Sequence, residues 1–165
     1  MTRFWASAGL VVALDQATKA LAHRLLAPAG PVRLIDDLVR LRYVRNSGAA
    51  FSLFQGSWLF FVAVSLASIG LLIYLVRSRR YLFRGSTLAF GLILGGAIGN
   101  LIDRFWMRQV IDFVDMGIGP HRWPTYNVAD IGITVGVIHL AIGFLFLDAR
   151  VHHAAPGDPA EPDHV

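Results

Sequence analysis

The stretch SWLFFVAVSLASIGLLIYLV, residues 57–76, runs for twenty residues without a charge. A helix needs roughly 20 predominantly apolar residues to cross the hydrocarbon layer of a bilayer. This stretch meets that requirement and sets the class of the whole chain. Working outward, residues 85–102 are uncharged and end at Asp103-Arg104, and residues 131–147 are interrupted by His139. A fourth apolar stretch, residues 4–22, contains Asp15 and Lys19. The expectation is an all-α polytopic membrane protein with four transmembrane helices.

Composition agrees. The chain has 165 residues, 55% of them hydrophobic, and a mean hydropathy of +0.55. That is too apolar for an ordinary soluble domain of this size. The length suits one membrane domain, residues 1–153. Residues 154–165 are rich in Pro, Asp and Ala, have no apolar pattern, and read as a disordered tail. The absence of cysteine excludes disulfides, iron–sulfur clusters and thiolate metal sites. The net charge of +4 comes almost wholly from arginine, Lys19 being the sole lysine. Arginine-rich loops beside apolar spans suit membrane phospholipid head groups. No aromatic-interleaved basic stretch suggests a nucleic-acid partner.

Residues 4–22 have two readings. Arg3, an apolar core and small residues near Ala20-Leu21-Ala22 are features of a cleavable signal peptide. Asp15 and Lys19 argue for a retained helix, because they fall where a cleaved signal is neutral and lie four apart on one helical face. The retained helix is favoured. For orientation, Arg77, Arg79, Arg80 and Arg84 crowd one short loop, which places that loop and both termini in the cytoplasm. The opposing segment, residues 22–56, also holds several arginines, so the arginine count alone does not decide. Within it, Val39, Leu41 and Tyr43 alternate with Arg40 and Arg42, which is strand periodicity. Pro28, Gly30 and Pro31 punctuate the approach. A small β-element against the head groups is expected there. Gly91, Gly95 and Gly99 recur every four residues, a spacing that lets helices approach closely.

Polar residues cluster in five strings. They are Asp15-Gln16-Ala17-Thr18-Lys19, Asn46-Ser47-Gly48-Ala49-Ala50-Phe51, Gly99-Asn100-Leu101-Ile102-Asp103-Arg104, Val110-Ile111-Asp112-Phe113 and Tyr126-Asn127-Val128-Ala129-Asp130. With four alternating spans, all five fall on the side opposite the 77–84 loop. Two carboxyls brought together there do not both ionise: one keeps a proton and the other activates water. Asp130 or Asn127 is equally suited to cap the last helix, and Asp112 and Asp130 are open to both readings on residue chemistry alone. Asp15, Lys19 and Asp103 read as structural polar residues, Asp15 and Lys19 as an ion pair, and Arg104 as a partner for a carboxylate. No histidine falls in the five strings, so no metal site is expected.

Together the five strings resemble the lipoprotein signal peptidases, the signal peptidase II family of bacterial membrane aspartyl proteases. The match covers the chain from Asp15 to Asp130, with Tyr126 where phenylalanine is more usual. The resemblance implies a catalytic pair at Asp112 and Asp130. It implies substrate-binding or dyad-supporting roles for Asn46, Gly48, Asn100, Arg104, Asn127 and Ala129. The implied substrate is a diacylglyceryl-modified prolipoprotein, cut just before its lipidated cysteine by a monomeric enzyme of the bacterial inner membrane that needs no cofactor. The implied fold adds a small extracytoplasmic β-cradle and a short helix in the second outer loop.

Bland readings accompany the remaining residues. His139 reads as a packing residue, and Trp5, Trp58, Trp106 and Trp123 as interfacial anchors. Phe51 and Phe54 are placed to rest on lipid or cover the acylated substrate. A proton-coupled transporter needs polar groups spread through membrane depth, whereas these gather at one end. A scaffold built on the glycine-lined helix leaves the polar strings without a role.

Overall fold

The computed structural model describes residues 1–48, 56–79, 83 and 85–153, with residues 146–153 as backbone alone. Phe51 and Phe54, Arg80 and Arg84, the end of the second polar string and the tail 154–165 lie outside the described residues. The element order is α1 (Thr2–Ala29), β1 (Val32–Ile35), β2 (Val39–Asn46), α2 (Trp58–Ser78), α3 (Ser86–Met107), β3 (Val110–Ile118), β4 (His121–Arg122) and α4 (Val128–His153).

Among the described residues, three helices are long and apolar enough to cross a membrane: α2, α3 and the Val128–Leu145 part of α4. The fourth long helix, α1, has 28 residues but carries Arg3, Asp15, Lys19 and Arg24. The helix α3 is the hub. Of its apolar window 67% is buried inside the protein, against 11% for α2 and 17% for α4. The glycine spacing explains how the helices close on it. A Cβ on Gly95 would stand 2.6 Å from the Ala8 carbonyl oxygen, and one on Gly99 would stand 2.5 Å from Asp15 Oδ2. Gly91 likewise faces Phe4 and Ser7 of α1, and Gly96, one step round the helix, faces the backbone of Ala129 in α4. Phe4, Ala8, Leu72, Val76, Phe90 and Leu94 fill the core between α1, α2 and α3.

The sheet has strand order β1-β2-β3-β4 and antiparallel pairings. The strand expected from the Val39–Leu41–Tyr43 alternation is present as β2. It seats Leu41 and Tyr43 against Ala22 and Leu26 of α1, together with Phe113 and Val114 of β3.

The second outer loop, residues 108–127, holds no helix, which corrects the short helix expected there. Val110-Ile111-Asp112-Phe113-Val114 is rich in β-branched and aromatic residues, which favour a pleated, half-buried surface. This run becomes β3, pairing with β2 so that Val44 faces Asp112 and Asn46 faces Val110. Consequently Asp112 is carried on a strand and caps no helix.

Candidate active site

Five segments bring the polar strings together: the middle of α1, the end of β2, the second half of α3, the start of β3 and the start of α4. A buried ion cluster lies at their centre. The Lys19 ammonium sits 2.8 Å from Asp15 Oδ2 and 3.0 Å from Asp103 Oδ2, and donates to Asn100 Oδ1 at 3.0 Å. All three charged side chains are almost fully buried. A buried ammonium is tolerated when its donors are matched, and here three donors meet three acceptors. Gln16, a neutral member of the first polar string, ties the cluster further. Its Nε2 lies within hydrogen-bond reach of Asp15 Oδ2, Asp103 Oδ1 and the Gly99 carbonyl, at 3.1, 3.1 and 3.2 Å.

Asp112 and Asp130 flank two buried asparagines. Asn127, with no exposed surface, has its Nδ2 within hydrogen-bond reach of Asp112 Oδ1 at 2.7 Å, Asn100 Oδ1 at 3.1 Å and the Ile111 carbonyl at 3.2 Å. Asn100 donates through its own Nδ2 to Asp130 Oδ1 at 2.9 Å. On the other side, Asn46 Nδ2 donates to Asp112 Oδ2 at 3.0 Å while its Oδ1 accepts the Gly48 N–H at 2.9 Å. The Asn46–Gly48 turn thus points the amide of Asn46 at Asp112.

The capping reading of the last helix is also realised. Asn127 Oδ1 accepts the Asp130 N–H at 3.0 Å, and Asp130 Oδ2 accepts the Asn127 N–H at 3.2 Å. This reciprocal pair satisfies two otherwise orphaned backbone donors. Capping and a place beside Asp112 are therefore compatible for Asp130: one oxygen closes the helix end and the other meets Asn100.

Burial pushes the Asp112 carboxyl up to about 7, and the negative charge of Asp130 adds to the rise. The hydrogen bonds from Asn46 and Asn127 and the charge of Lys19 oppose it. Near neutral pH this carboxyl is poised between its two forms, as a group that exchanges protons requires.

Ala129 is completely buried; its backbone N–H donates to Asp15 Oδ1 at 2.9 Å, so its contribution is made through the main chain. Arg104 differs from its expected ion pair. Among the described residues no carboxylate pairs with it. Its guanidinium lies 5.0 Å from the Phe61 ring centroid and donates to the Asn100 carbonyl at 3.4 Å. Phe61 offers the cation a ring face that needs no desolvated counter-charge.

Asp115 was not singled out from the sequence. It is buried on β3, 3.1 Å from Arg122 Nε and 3.7 Å from Arg42 Nε, and fastens the sheet. Its only sequence signal is a second carboxylate, three residues after Asp112, in a strand that is otherwise apolar. His139 is exposed and stacks on Phe83 with ring centroids 6.3 Å apart, so it packs as expected, though on the outside of the bundle.

The helices, the attached sheet and the cluster of ionisable groups at one end define a polytopic membrane protein with a buried polar site. A family model described as signal peptidase (SPase) II matches residues 7–146. The lipoprotein signal peptidase of Geobacillus thermodenitrificans (strain NG80-2) is 40% identical over 144 residues, covering 87% of this chain and 89% of that protein. That of Syntrophomonas wolfei subsp. wolfei (strain DSM 2245B / Goettingen) is 44% identical over 149 residues, covering 90% and 95%. A solved structure of a bacterial membrane enzyme, determined by the in meso method at 2.3 Å resolution, superposes with a TM-score of 0.82 at 28% identity, covering 96% of each chain. The chain belongs to the signal peptidase II family, a family of proteases.

Proposed function

We propose that this chain is an intramembrane aspartyl endopeptidase. It removes the signal peptide from diacylglyceryl-modified prolipoproteins by cutting just before the lipidated cysteine. The observation that carries the reading is the convergence of Asp112 and Asp130 on the Asn100–Asn127 pair, with every carboxylate oxygen matched to a donor. Family membership supplies the substrate class.

The chemistry follows from one shared proton. The ionised aspartate takes a proton from water as the water oxygen attacks the scissile carbonyl. The protonated aspartate donates to the carbonyl oxygen, giving a tetrahedral diol. Collapse breaks the C–N bond, and a proton passes to the departing cysteine nitrogen. The two ionisation steps belong to the pair, so neither residue has a fixed role. Asn46, Asn100 and Asn127 orient the carboxylates, and Gly48 holds Asn46. Arg104, raised from Asn100 towards the same end, contacts substrate or supports the dyad. No metal takes part in this scheme.

Four spans in the bacterial inner membrane complete the proposal, with both termini cytoplasmic and the site towards the outer face. A 28-residue α1 is roughly 42 Å long at 1.5 Å per residue, enough to cross. Its exposed Trp5, Leu10, Leu14, Leu21 and Leu25 suit a lipid-facing stripe, while Asp15 and Lys19 neutralise each other inside. Their place in the site also favours a retained α1 over a cleaved signal. The enzyme acts as a monomer of one domain, residues 1–153, with exposed Trp5, Trp106 and Trp123 among phospholipid head groups. Purified protein in lipid should cleave a diacylglyceryl-modified prolipoprotein in the presence of chelator. Asp112→Asn and Asp130→Asn should each abolish cleavage, and normal turnover by either variant sinks the dyad.

A further inference from the structure

Lys19 touches neither Asp112 nor Asp130, yet its two carboxylate partners reach the residue just before each. Asp15 Oδ1 accepts the N–H of Ala129, one residue before Asp130, at 2.9 Å. Asp103 Oδ2 accepts the N–H of Ile111, one residue before Asp112, at 3.0 Å. The ammonium joins these two carboxylates at 2.8 and 3.0 Å. Its third contact fixes the Asn100 amide. An ammonium only donates, so Oδ1 must face Lys19 at 3.0 Å, and Nδ2 is left for Asp130 at 2.9 Å.

We infer that Lys19, Asp15 and Asp103 form a positioning clamp: each carboxylate fixes the backbone preceding one aspartate of the dyad, and Lys19 sets the spacing between them. The clamp rests on the dyad reading above. The three residues sit on α1 and α3, so the two rigid helices that close through Gly95 and Gly99 locate a strand and a separate helix start. Positioning of this kind acts on rate more than on substrate affinity. A misplacement of about 1 Å costs on the order of 10²-fold in rate.

A positioning role differs from simple anchoring in ways that kinetics reads. The groups facing the ammonium are Asp15 and Gln16 of α1, Asn100 and Asp103 of α3, Asp112 of β3 and Asp130 of α4, with Arg104 the nearby second cation. Lys19→Met removes a positive charge that holds the Asp112 carboxyl down, and leaves Asp15 and Asp103 uncompensated. The limb of the pH profile that reports the Asp112–Asp130 pair then moves to higher pH. At Asp103, an amide oxygen in the place of Oδ2 still accepts the Ile111 N–H and the Lys19 ammonium, at the cost of the Gln16 contact to Oδ1, whereas a methyl group accepts nothing.

The test is steady-state cleavage of a diacylglyceryl-modified prolipoprotein by the purified full chain in lipid, across pH. It compares wild type, Lys19→Met, Asp103→Asn, Asp103→Ala and the Asp112→Asn control, with rates normalised to folded protein. The clamp requires kcat to fall at least about 30-fold in Lys19→Met and Asp103→Ala, with KM within about threefold. It also requires Asp103→Asn to stay within about fivefold of wild type. If Lys19→Met does not fold, the Asp103 pair decides. Asp103→Asn as damaged as Asp103→Ala, or per-molecule rates and pH limbs unchanged in Lys19→Met, overturns the clamp. An inactive wild type, or an active Asp112→Asn, overturns the dyad itself.

Discussion

Adding one methyl group at Gly95 tests how the helices hold the site. The new Cβ of Gly95→Ala would stand 2.6 Å from the Ala8 carbonyl oxygen and 3.0 Å from Ala8 Cα, both backbone atoms, and 2.8 Å from Val11 Cβ. Ordinary contact begins near 3.4 Å, so the oxygen must recede by about 0.8 Å, the difference between 3.4 and 2.6 Å. No side-chain rotation relieves a backbone clash, so α1 and α3 must part. Overpacking of this kind costs about 1–3 kcal/mol. The parting is felt one turn along, where Gly99 meets Asp15 and Asn100 meets Lys19. Gly70→Ala is the control, because a Cβ at Gly70 meets nothing within 4 Å. There the change should be neutral or stabilise by up to about 1 kcal/mol through helix propensity. Thermal unfolding in detergent should show Gly95→Ala melting several degrees lower, at about 2–4 °C per kcal/mol, with Gly70→Ala unchanged or higher. Cleavage per folded molecule should fall about tenfold or more in Gly95→Ala alone. Equal melting temperatures and rates for the two variants refute the claim that close helix approach sets the site.

Other outcomes follow from the same geometry. Asn127→Ala removes a helix cap worth about 1 kcal/mol and leaves the Ile111 carbonyl without its buried donor, at about 1–3 kcal/mol; a melting point within a degree of wild type contradicts this. Asn46→Ala deletes a hydrogen bond to a carboxylate, worth about 1.5–3 kcal/mol or roughly 10- to 150-fold in rate. Because that bond holds the Asp112 carboxyl down, the limb that reports the dyad should also move to higher pH, and an unmoved limb counts against the assignment. In the folded chain Asp112 is raised from 3.8 to about 7, so between those values the folded state binds more protons than the unfolded state. Wild type should therefore lose stability relative to Asp112→Asn as pH rises from about 4 to about 7, by up to about 1.4 kcal/mol per pH unit. A stability difference that stays flat with pH argues against a raised Asp112.

Much of the architecture was legible because it follows from local rules. Residues 57–76 and 85–102 read as helices from length and lack of charge, and the Val39–Leu41–Tyr43 alternation read as a strand. Gly91, Gly95 and Gly99 read as a close helix contact from spacing alone. The short helix in the second outer loop came from the family resemblance alone; the β-branched and aromatic run at residues 110–114 favours the strand that forms there, and its partner, β2, lies some seventy residues earlier in the chain. The ring contact of Arg104 was not legible for a related reason: Phe61 lies on another helix, and nothing in the local sequence says that its face meets the guanidinium. The five polar strings pointed to one site, but not to its wiring. That Asp15 reaches the N–H of Ala129 and Asp103 that of Ile111 depends on distances between elements, which no spacing encodes. Gln16 stood inside the first polar string with nothing to single it out, and Asp115 showed only as a carboxylate among apolar neighbours.

The most direct measurement is cleavage of a diacylglyceryl-modified prolipoprotein by the purified protein in lipid, with chelator present, beside Asp112→Asn and an unlipidated precursor. The account predicts cleavage before the lipidated cysteine by wild type alone, with the unlipidated precursor a poor substrate. A folded wild type that leaves the lipidated precursor intact, or an Asp112→Asn variant that cuts it normally, contradicts the account.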